Sequence, residues 1–325
     1  MGDAGEGAGL VGQLRASASS ALGARLVEIL LAALTVCANR LSIDRVVAIG
    51  ASVGRGWVRL RLARTARVRA QLAEAFPELS EQRLDRVSLG VFEHFGRSLA
   101  ELIALRGQHR ETLLGRVEVE GLEHFVAAEA ASQGKGALIV SAHYGNWELG
   151  GLRVATLGIP LAAVFRGLSH PVLDAALLSI RSGAGSAPAD YEQIRTGRAG
   201  IALVRALKAG RKVVVLLDQN APRDEGVFVS FFGRPACVRT GPLKLAIRAG
   251  APILVACSRR NSTGRGHRLR IHAPVWVPLD SGTGPDAVRS CAEKVTALIE
   301  AEIREDPTQW IWTHRRWRTQ PEAAE

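Results

Sequence analysis

Two residues with the types and spacing to move a proton lie in the segment Ser141-Ala142-His143-Tyr144-Gly145-Asn146-Trp147-Glu148. A carboxylate bonded to one imidazole nitrogen fixes the tautomer and stabilises the imidazolium, leaving the other nitrogen free to take a proton from an alcohol. On one continuous helix, five positions would set the two side chains about 140° apart, so His143 and Glu148 meet only if the residues between them turn. Gly145 and Asn146 are turn formers. The segment is therefore read as a general base, His143, with an orienting carboxylate, Glu148, and Asn146 is taken as a candidate substrate contact. A second pattern competes: Gly50-Ala51-Ser52-Val53-Gly54 matches G-x-S-x-G, the nucleophile elbow of serine hydrolases, after Val46-Val47-Ala48-Ile49. An elbow needs earlier strands to supply an oxyanion loop, and the residues before Ser52 read mostly as helix.

The elements around His143 suit a buried sheet. Gly134-Lys135-Gly136 turns into Ala137-Leu138-Ile139-Val140, a short unbroken apolar run that reads as a buried strand with His143 just beyond its end. Helix and strand patterns then alternate. Helices are expected at Trp147–Leu157, Pro171–Ser182, Ile201–Ala209, Pro242–Arg248 and Pro285–Ile303, and strands at Ala162–Phe165, Lys212–Leu217, Ile253–Ser258 and Leu269–His272. Such alternation implies an α/β fold, with a mainly parallel central sheet flanked by helices. Asp218 and Gln219 close one strand and could line the same carboxyl edge as His143, where ligands of such sheets collect; Asp218 could equally cap the loop that follows.

The first third reads as helical. Basic residues from Arg55 to Arg69 alternate with apolar ones, and the pattern runs on to Phe76 before Pro77 stops the helix. A second helix opens after Ser80, with Val87, Val91, Phe95, Leu99, Leu102 and Ile103 as its apolar stripe. Earlier, Leu26, Ile29, Leu30, Ala33, Leu34, Cys37 and Leu41 fall at helical spacing beside Arg25, Arg40 and Arg45, as in an interfacial helix or a core helix. The uncharged stretch Ile29–Asn39 is too short for a clean membrane span, which needs about 20 residues. The expected organisation is a disordered start at 1–20, a helical membrane-associating arm at 21–110 and a catalytic domain at 111–321.

Composition narrows the partners. With 42 Lys and Arg against 31 Asp and Glu, the net charge of +11 draws anions: nucleic acid, anionic lipid or an acidic protein. No nucleic-acid motif accompanies the charge, and a buried parallel sheet is not what that task needs, so no nucleic-acid partner is expected. Cys37, Cys237, Cys257 and Cys291 form no C-x-x-C pair, so neither a metal site nor a disulfide framework is expected.

The motifs, taken in order, resemble the lipid A biosynthesis lauroyl/myristoyl acyltransferases, whose signature is His, four residues, then Asp or Glu. Ala75-Phe76-Pro77-Glu78-Leu79-Ser80, Val164-Phe165-Arg166, His170-Pro171-Val172-Leu173-Asp174, Leu217-Asp218-Gln219, Gly226-Val227-Phe228-Val229, Phe231-Phe232-Gly233 and Trp310-Ile311-Trp312-Thr313-His314-Arg315-Arg316-Trp317 look like further blocks of that family. The resemblance implies transfer of a fatty acyl group from an acyl carrier protein thioester to a hydroxyl of a lipid A precursor, at the cytoplasmic face of the inner membrane. It implies His143 as base, Glu148 as orienter, and Arg166, Asp218 and Gln219 among the substrate contacts. No cofactor or metal is implied beyond the acyl carrier protein or coenzyme A thioester; the partners are acyl carrier protein, an anionic lipid acceptor and the membrane surface. A lysophospholipid or a glycolipid such as a phosphatidylinositol mannoside is the alternative acceptor. The Pro-Glu-Gly-Thr-Arg block of glycerophosphate acyltransferases is not found.

Overall fold

The computed structural model describes residues 5–62, 64–183, 191–275 and 284–322; for 5–20 and Arg198 it describes the backbone alone. Seven strands make the central sheet: β1 (Val117–Glu120), β2 (Ala137–Ser141), β3 (Leu161–Phe165), β4 (Tyr191–Arg195), β5 (Lys212–Leu216), β8 (Ile253–Arg260) and β9 (His267–Ile271). Their order is β1-β9-β8-β2-β5-β3-β4, and every neighbouring pair is parallel except β8 with β9. The mainly parallel sheet expected from the sequence is therefore present. Strand β4 had no signal, because Tyr-Glu-Gln-Ile-Arg carries too few apolar residues to read as a strand of such a sheet.

Apolar side chains on both faces of each central strand explain the unbroken runs. Leu138 and Val140 of β2 and Ile253 and Val255 of β8 enter one core, while Ile139 of β2 and Leu254 of β8 enter the other. The first core is covered by α3 (Thr65–Ala75), α4 (Glu81–Ala104), α9 (Ala199–Lys208), α10 (Gly241–Ala249) and α11 (Pro285–Glu305), together with Trp310, Trp312 and Trp317. The second is covered by α5 (Arg110–Gly115), α6 (Leu122–Ala131), α7 (Trp147–Thr156) and α8 (Pro171–Ser182). A separate hairpin of β6 (Gly226–Phe231) and β7 (Arg234–Arg239) turns at Phe232 and Gly233, both in the left-handed region. That turn type matches the twist of two-residue hairpins. An aromatic residue is held there because the Phe232 amide donates to Glu300 at 2.7 Å and its ring packs on Phe76 and Phe231.

The single helix expected over Arg55–Phe76 is two helices. Helix α2 (Ile43–Arg59) ends before a break in which Arg61 and Arg64 take left-handed backbone angles, and α3 restarts at Thr65. The alternating basic pattern masked that break, since it contains neither Gly nor Pro. The G-x-S-x-G match is no nucleophile elbow, for Ser52 lies inside α2 with its hydroxyl donating to the Ala48 carbonyl. Its glycines serve packing: a Cβ on Gly54 would lie 2.1 Å from the Phe92 carbonyl oxygen of α4, and one on Gly50 would lie 2.4 Å from that of Gly96. The two helices can cross this closely only with glycine there.

Helix α1 runs from Gly5 to Asn39. Its Ala, Leu, Arg and Gln residues favour helix, and no proline interrupts them. Within it, Ala21–Asn39 is long and apolar enough to cross a membrane, and only 6% of it is buried. At about 1.5 Å per residue, nineteen residues reach the ~30 Å hydrocarbon thickness. The candidate span is longer than the sequence reading allowed because it takes in Arg25 and Glu28 near one end, where charged side chains can reach the interface. Leu22, Leu26, Ile29 and Leu30 are exposed along it.

Candidate active site

Adjacent parallel strands place the site. Ser141 of β2 pairs with Leu216 of β5, and the Leu217 amide donates to the Ser141 carbonyl, so the two chains leave the sheet side by side. Two residues on, His143 and Asp218 meet. The His143 Nδ1 lies 2.8 Å from Asp218 Oδ1, and the His143 backbone amide donates to Oδ2 at 2.9 Å. The turn after His143 is held by Gly145, whose φ is +60° and whose Cβ, if present, would lie 1.8 Å from the Ser258 carbonyl oxygen. Asn146 caps α7, its side chain accepting from the Leu149 amide.

Asp218 is completely buried at its side chain, whereas His143 keeps 19% exposure. Burial alone would push the Asp218 carboxyl up. The charge and hydrogen bond of His143, with donors from the Trp310 indole at 2.7 Å and the His143 amide, hold it below the usual range instead. Burial likewise works to lower the His143 pKa, but the charge and hydrogen bond of Asp218, joined by the charge of Glu148, outweigh it and raise the ring above its ordinary value. With Nδ1–H donating to the carboxylate, the tautomer leaves a lone pair on Nε2. That nitrogen faces the exposed Gln219, whose Nε2 is 3.4 Å away. A buried carboxylate, an oriented imidazole and an accessible Nε2 make a base that can take a proton from a hydroxyl.

Glu148 is not the carboxylate on His143. It sits in the first turn of α7 and points into the protein, where Arg181 of α8 grips it through Nε–H at 2.8 Å and Nη2–H at 2.5 Å. Both side chains are less than a tenth exposed, and the Trp147 indole adds a third donor at 3.2 Å. Trp147 takes the place beside the His143 ring, 5.0 Å between centroids. The turn expected between His143 and Glu148 exists, but it delivers Trp147 to the imidazole and Glu148 to Arg181. Asn146 is buried as a helix cap, its Nδ2 donating to Glu101 at 2.9 Å, so the structure does not hold it out toward substrate. Arg166 is exposed just beyond β3, at the same edge of the sheet as His143 and Asp218. Of the sequence-expected residues, His143, Asp218 and Gln219 come together, while Glu148 and Asn146 lie behind them.

The C-terminal segment completes the site. Ile311 donates its amide to the His143 carbonyl, Gly145 donates to the Gln309 carbonyl, and Tyr144 bridges to Trp310. His314 Nε2 accepts the Asn220 amide at 3.0 Å. Burial, then the charges of Arg316, His143 and Arg318, lower the His314 pKa, which keeps the ring neutral as an acceptor. Arg316 is buried with its Nη1–H donating to the Cys237 carbonyl, and burial lowers its pKa to about 10. Sequence reasoning saw this aromatic block only as a family-like segment and missed the bond from Trp310 to Asp218; the partner of a buried indole N–H cannot be read from its position in the chain.

Comparison with known proteins shows the family of the chain. The family model for the bacterial lipid A biosynthesis acyltransferase matches residues 17–319. A lipid A biosynthesis lauroyltransferase of Escherichia coli K12 is 27% identical over 275 residues, 84% of this chain and 85% of that one. A palmitoleoyltransferase of the same organism is 28% identical over 78% of each chain. A phosphatidylinositol mannoside acyltransferase of Mycobacterium tuberculosis is 25% identical over 72% of this chain and 71% of its own. A solved 1-acyl-sn-glycerophosphate acyltransferase of Thermotoga maritima covers 79% of this chain and 99% of its own, with 15% identity and a TM-score of 0.35, and adds nothing to the assignment. With a match spanning nearly its whole length, this chain is an acyltransferase and belongs to the bacterial lipid A biosynthesis acyltransferase family.

Proposed function

We propose that the protein transfers a fatty acyl group from an acyl carrier protein thioester to a hydroxyl of a lipid A precursor, with His143 as general base. The observation that carries this reading is the His143–Asp218 pair, with Nε2 turned to the accessible mouth of the sheet edge. His143 Nε2 takes the proton from the acceptor hydroxyl as its oxygen attacks the thioester carbonyl. The tetrahedral carbon then expels the thiolate, which takes the proton back from the imidazolium, so His143 ends neutral and no covalent acyl-enzyme forms. Asp218 supplies the orienting and charge-stabilising role that the motif alone would give to Glu148. Glu148 acts at one remove: it adds negative charge near His143 and ties α7 to Arg181.

The acceptor reading follows the relatives, among which lipid A acyltransferases span more of this chain than the phosphatidylinositol mannoside acyltransferases do. The net charge of +11 suits phosphorylated acceptor, anionic lipid and an acidic carrier protein, because guanidinium groups bind phosphate and carboxylate in bidentate fashion. Exposed Arg166, beside the base, is placed to contact acceptor phosphate or sugar. The apolar length of Ala21–Asn39 suits attachment at the cytoplasmic face of the inner membrane. Purified protein should release thiol and form acylated lipid A precursor with acyl carrier protein thioesters faster than with coenzyme A thioesters. Transfer to a mannosylated phosphatidylinositol but not to lipid A precursor would replace the acceptor, and His143→Ala at wild-type rate would overturn the base.

A further inference from the structure

Behind the catalytic turn lies a buried ionic cluster that acyl transfer as described above does not use. Glu101 of α4 is 2% exposed, and four donors fill its two oxygens. Arg260 Nη1 and His267 Nε2 reach Oε1 at 2.7 and 3.0 Å; Arg260 Nη2 and Asn146 Nδ2 reach Oε2 at 2.7 and 2.9 Å. A carboxylate accepts about four hydrogen bonds, so every site is taken. Burial alone would push the Glu101 carboxyl up, but the charges and hydrogen bonds of His267 and Arg260 hold it well below the usual range. The fixed negative charge therefore persists at every working pH.

The same cluster grips the turn a second time through the backbone. Arg260 exchanges two hydrogen bonds with the Gln309 side chain, its amide donating at 2.7 Å and its carbonyl accepting at 3.1 Å. The Gln309 carbonyl in turn accepts the Gly145 amide at 2.9 Å. Also from α4, His94 hydrogen-bonds the backbone of Gly145, and burial lowers its pKa to about 3, so it stays neutral. Gly145 and Asn146, the two residues that turn the chain away from His143, are thus each tied to the Glu101–Arg260 pair. Burying an ion pair stabilises a fold little or not at all against apolar residues of the same volume, so placing one here asks for another use.

We propose that Glu101 is a positioning residue, which acts through Asn146 to hold the turn that presents His143 to Asp218. This rests on His143 being the base. Asn146→Ser keeps an oxygen for the helix cap and removes the donor to Glu101, so it should fold. It should lower kcat about 100-fold, the size expected for a small misplacement of a reacting group, with KM within twofold. The acid limb of the pH profile should move to lower pH as His143 loosens from Asp218. The exchanged pair Glu101→Gln with Asn146→Asp restores a hydrogen bond of reversed direction and should recover at least tenfold of the loss relative to Glu101→Gln alone. A raised KM with unchanged kcat in Asn146→Ser would return Asn146 to substrate binding and overturn the proposal. So would a loss of kcat matching loss of folded protein by thermal melting, with the acid limb unmoved. Inactive His143→Ala alongside active wild type fixes the base independently, so the two readings fail separately.

Discussion

Replacing Asp218 by Asn changes one atom in a site where the protein dictates how the amide must sit. Oδ2 of Asp218 accepts two N–H groups, from the His143 backbone at 2.9 Å and the Trp310 indole at 2.7 Å. An amide NH2 cannot take that place, so the Asn oxygen goes there and its NH2 lands where Oδ1 now lies, 2.8 Å from His143 Nδ1. Nδ1 must then accept, which puts the ring proton on Nε2, the nitrogen that should take the substrate's proton. Reaching the productive tautomer sets two buried N–H groups against each other, at about 1–3 kcal/mol for each unsatisfied donor. Taking ~4 kcal/mol for both and ~1.4 kcal/mol per decade, the rate falls about 10³-fold. Loss of the charge that stabilises the imidazolium brings this to about 10⁴, the size seen when a Ser-His-Asp triad suffers the same change. Because Asp218 raises the His143 pKa, the remaining activity should show its acid limb at lower pH than wild type. Thiol release under saturating substrates across pH 5–9, on protein shown folded by thermal melting, is the assay. A variant within tenfold of wild type, or one whose limb stays in place, refutes Asp218 as orienter.

Other outcomes follow from the same geometry. Glu148→Gln should destabilise the protein by about 3–5 kcal/mol, because Arg181 keeps its charge in a buried site without its partner. Adding Arg181→Met should recover most of that loss in denaturant unfolding, and no recovery would show that the pair is not the source. Trp310→Phe removes a donor from Asp218 and leaves the carboxylate more basic, so the His143 pKa should rise and the acid limb should move to higher pH, opposite in sign to Asp218→Asn; a shift the other way contradicts the bond. Gly54→Leu should cost about 1–3 kcal/mol or more, since its Cβ would meet the Phe92 carbonyl, whereas Gly56→Ala on the same helix, where an added Cβ meets nothing within 4 Å, should cost none; equal melting temperatures would refute the close crossing.

The α/β architecture was legible because strands such as Ala137–Ser141 are apolar on both faces, a pattern that sheets covered on both sides require. The candidate site's histidine was legible too, just past such a strand. Its partner was only half legible. Asp218 sits at the end of β5, and parallel strands bring their carboxyl ends to one edge, but nothing in a linear sequence says that β5 is β2's neighbour. A carboxylate five residues away looked nearer than one 75 residues away. The short motif drew attention to Glu148 for a sound reason, since it is buried and tied to the same turn; its partner Arg181 carried no signal because one arginine on a helix resembles any other. The antiparallel hairpin and the break between α2 and α3 were missed because Phe232, Arg61 and Arg64 take left-handed angles although none of them is a residue type that signals a turn.

The most direct test is mass spectrometry of lipid A from cells lacking this protein, complemented with wild type, His143→Ala or Asp218→Asn. Wild type should add one acyl chain to lipid A, His143→Ala none, and Asp218→Asn a trace. An extra chain of equal abundance with His143→Ala, or one found only on another lipid, would contradict base-catalysed acylation of lipid A by this site.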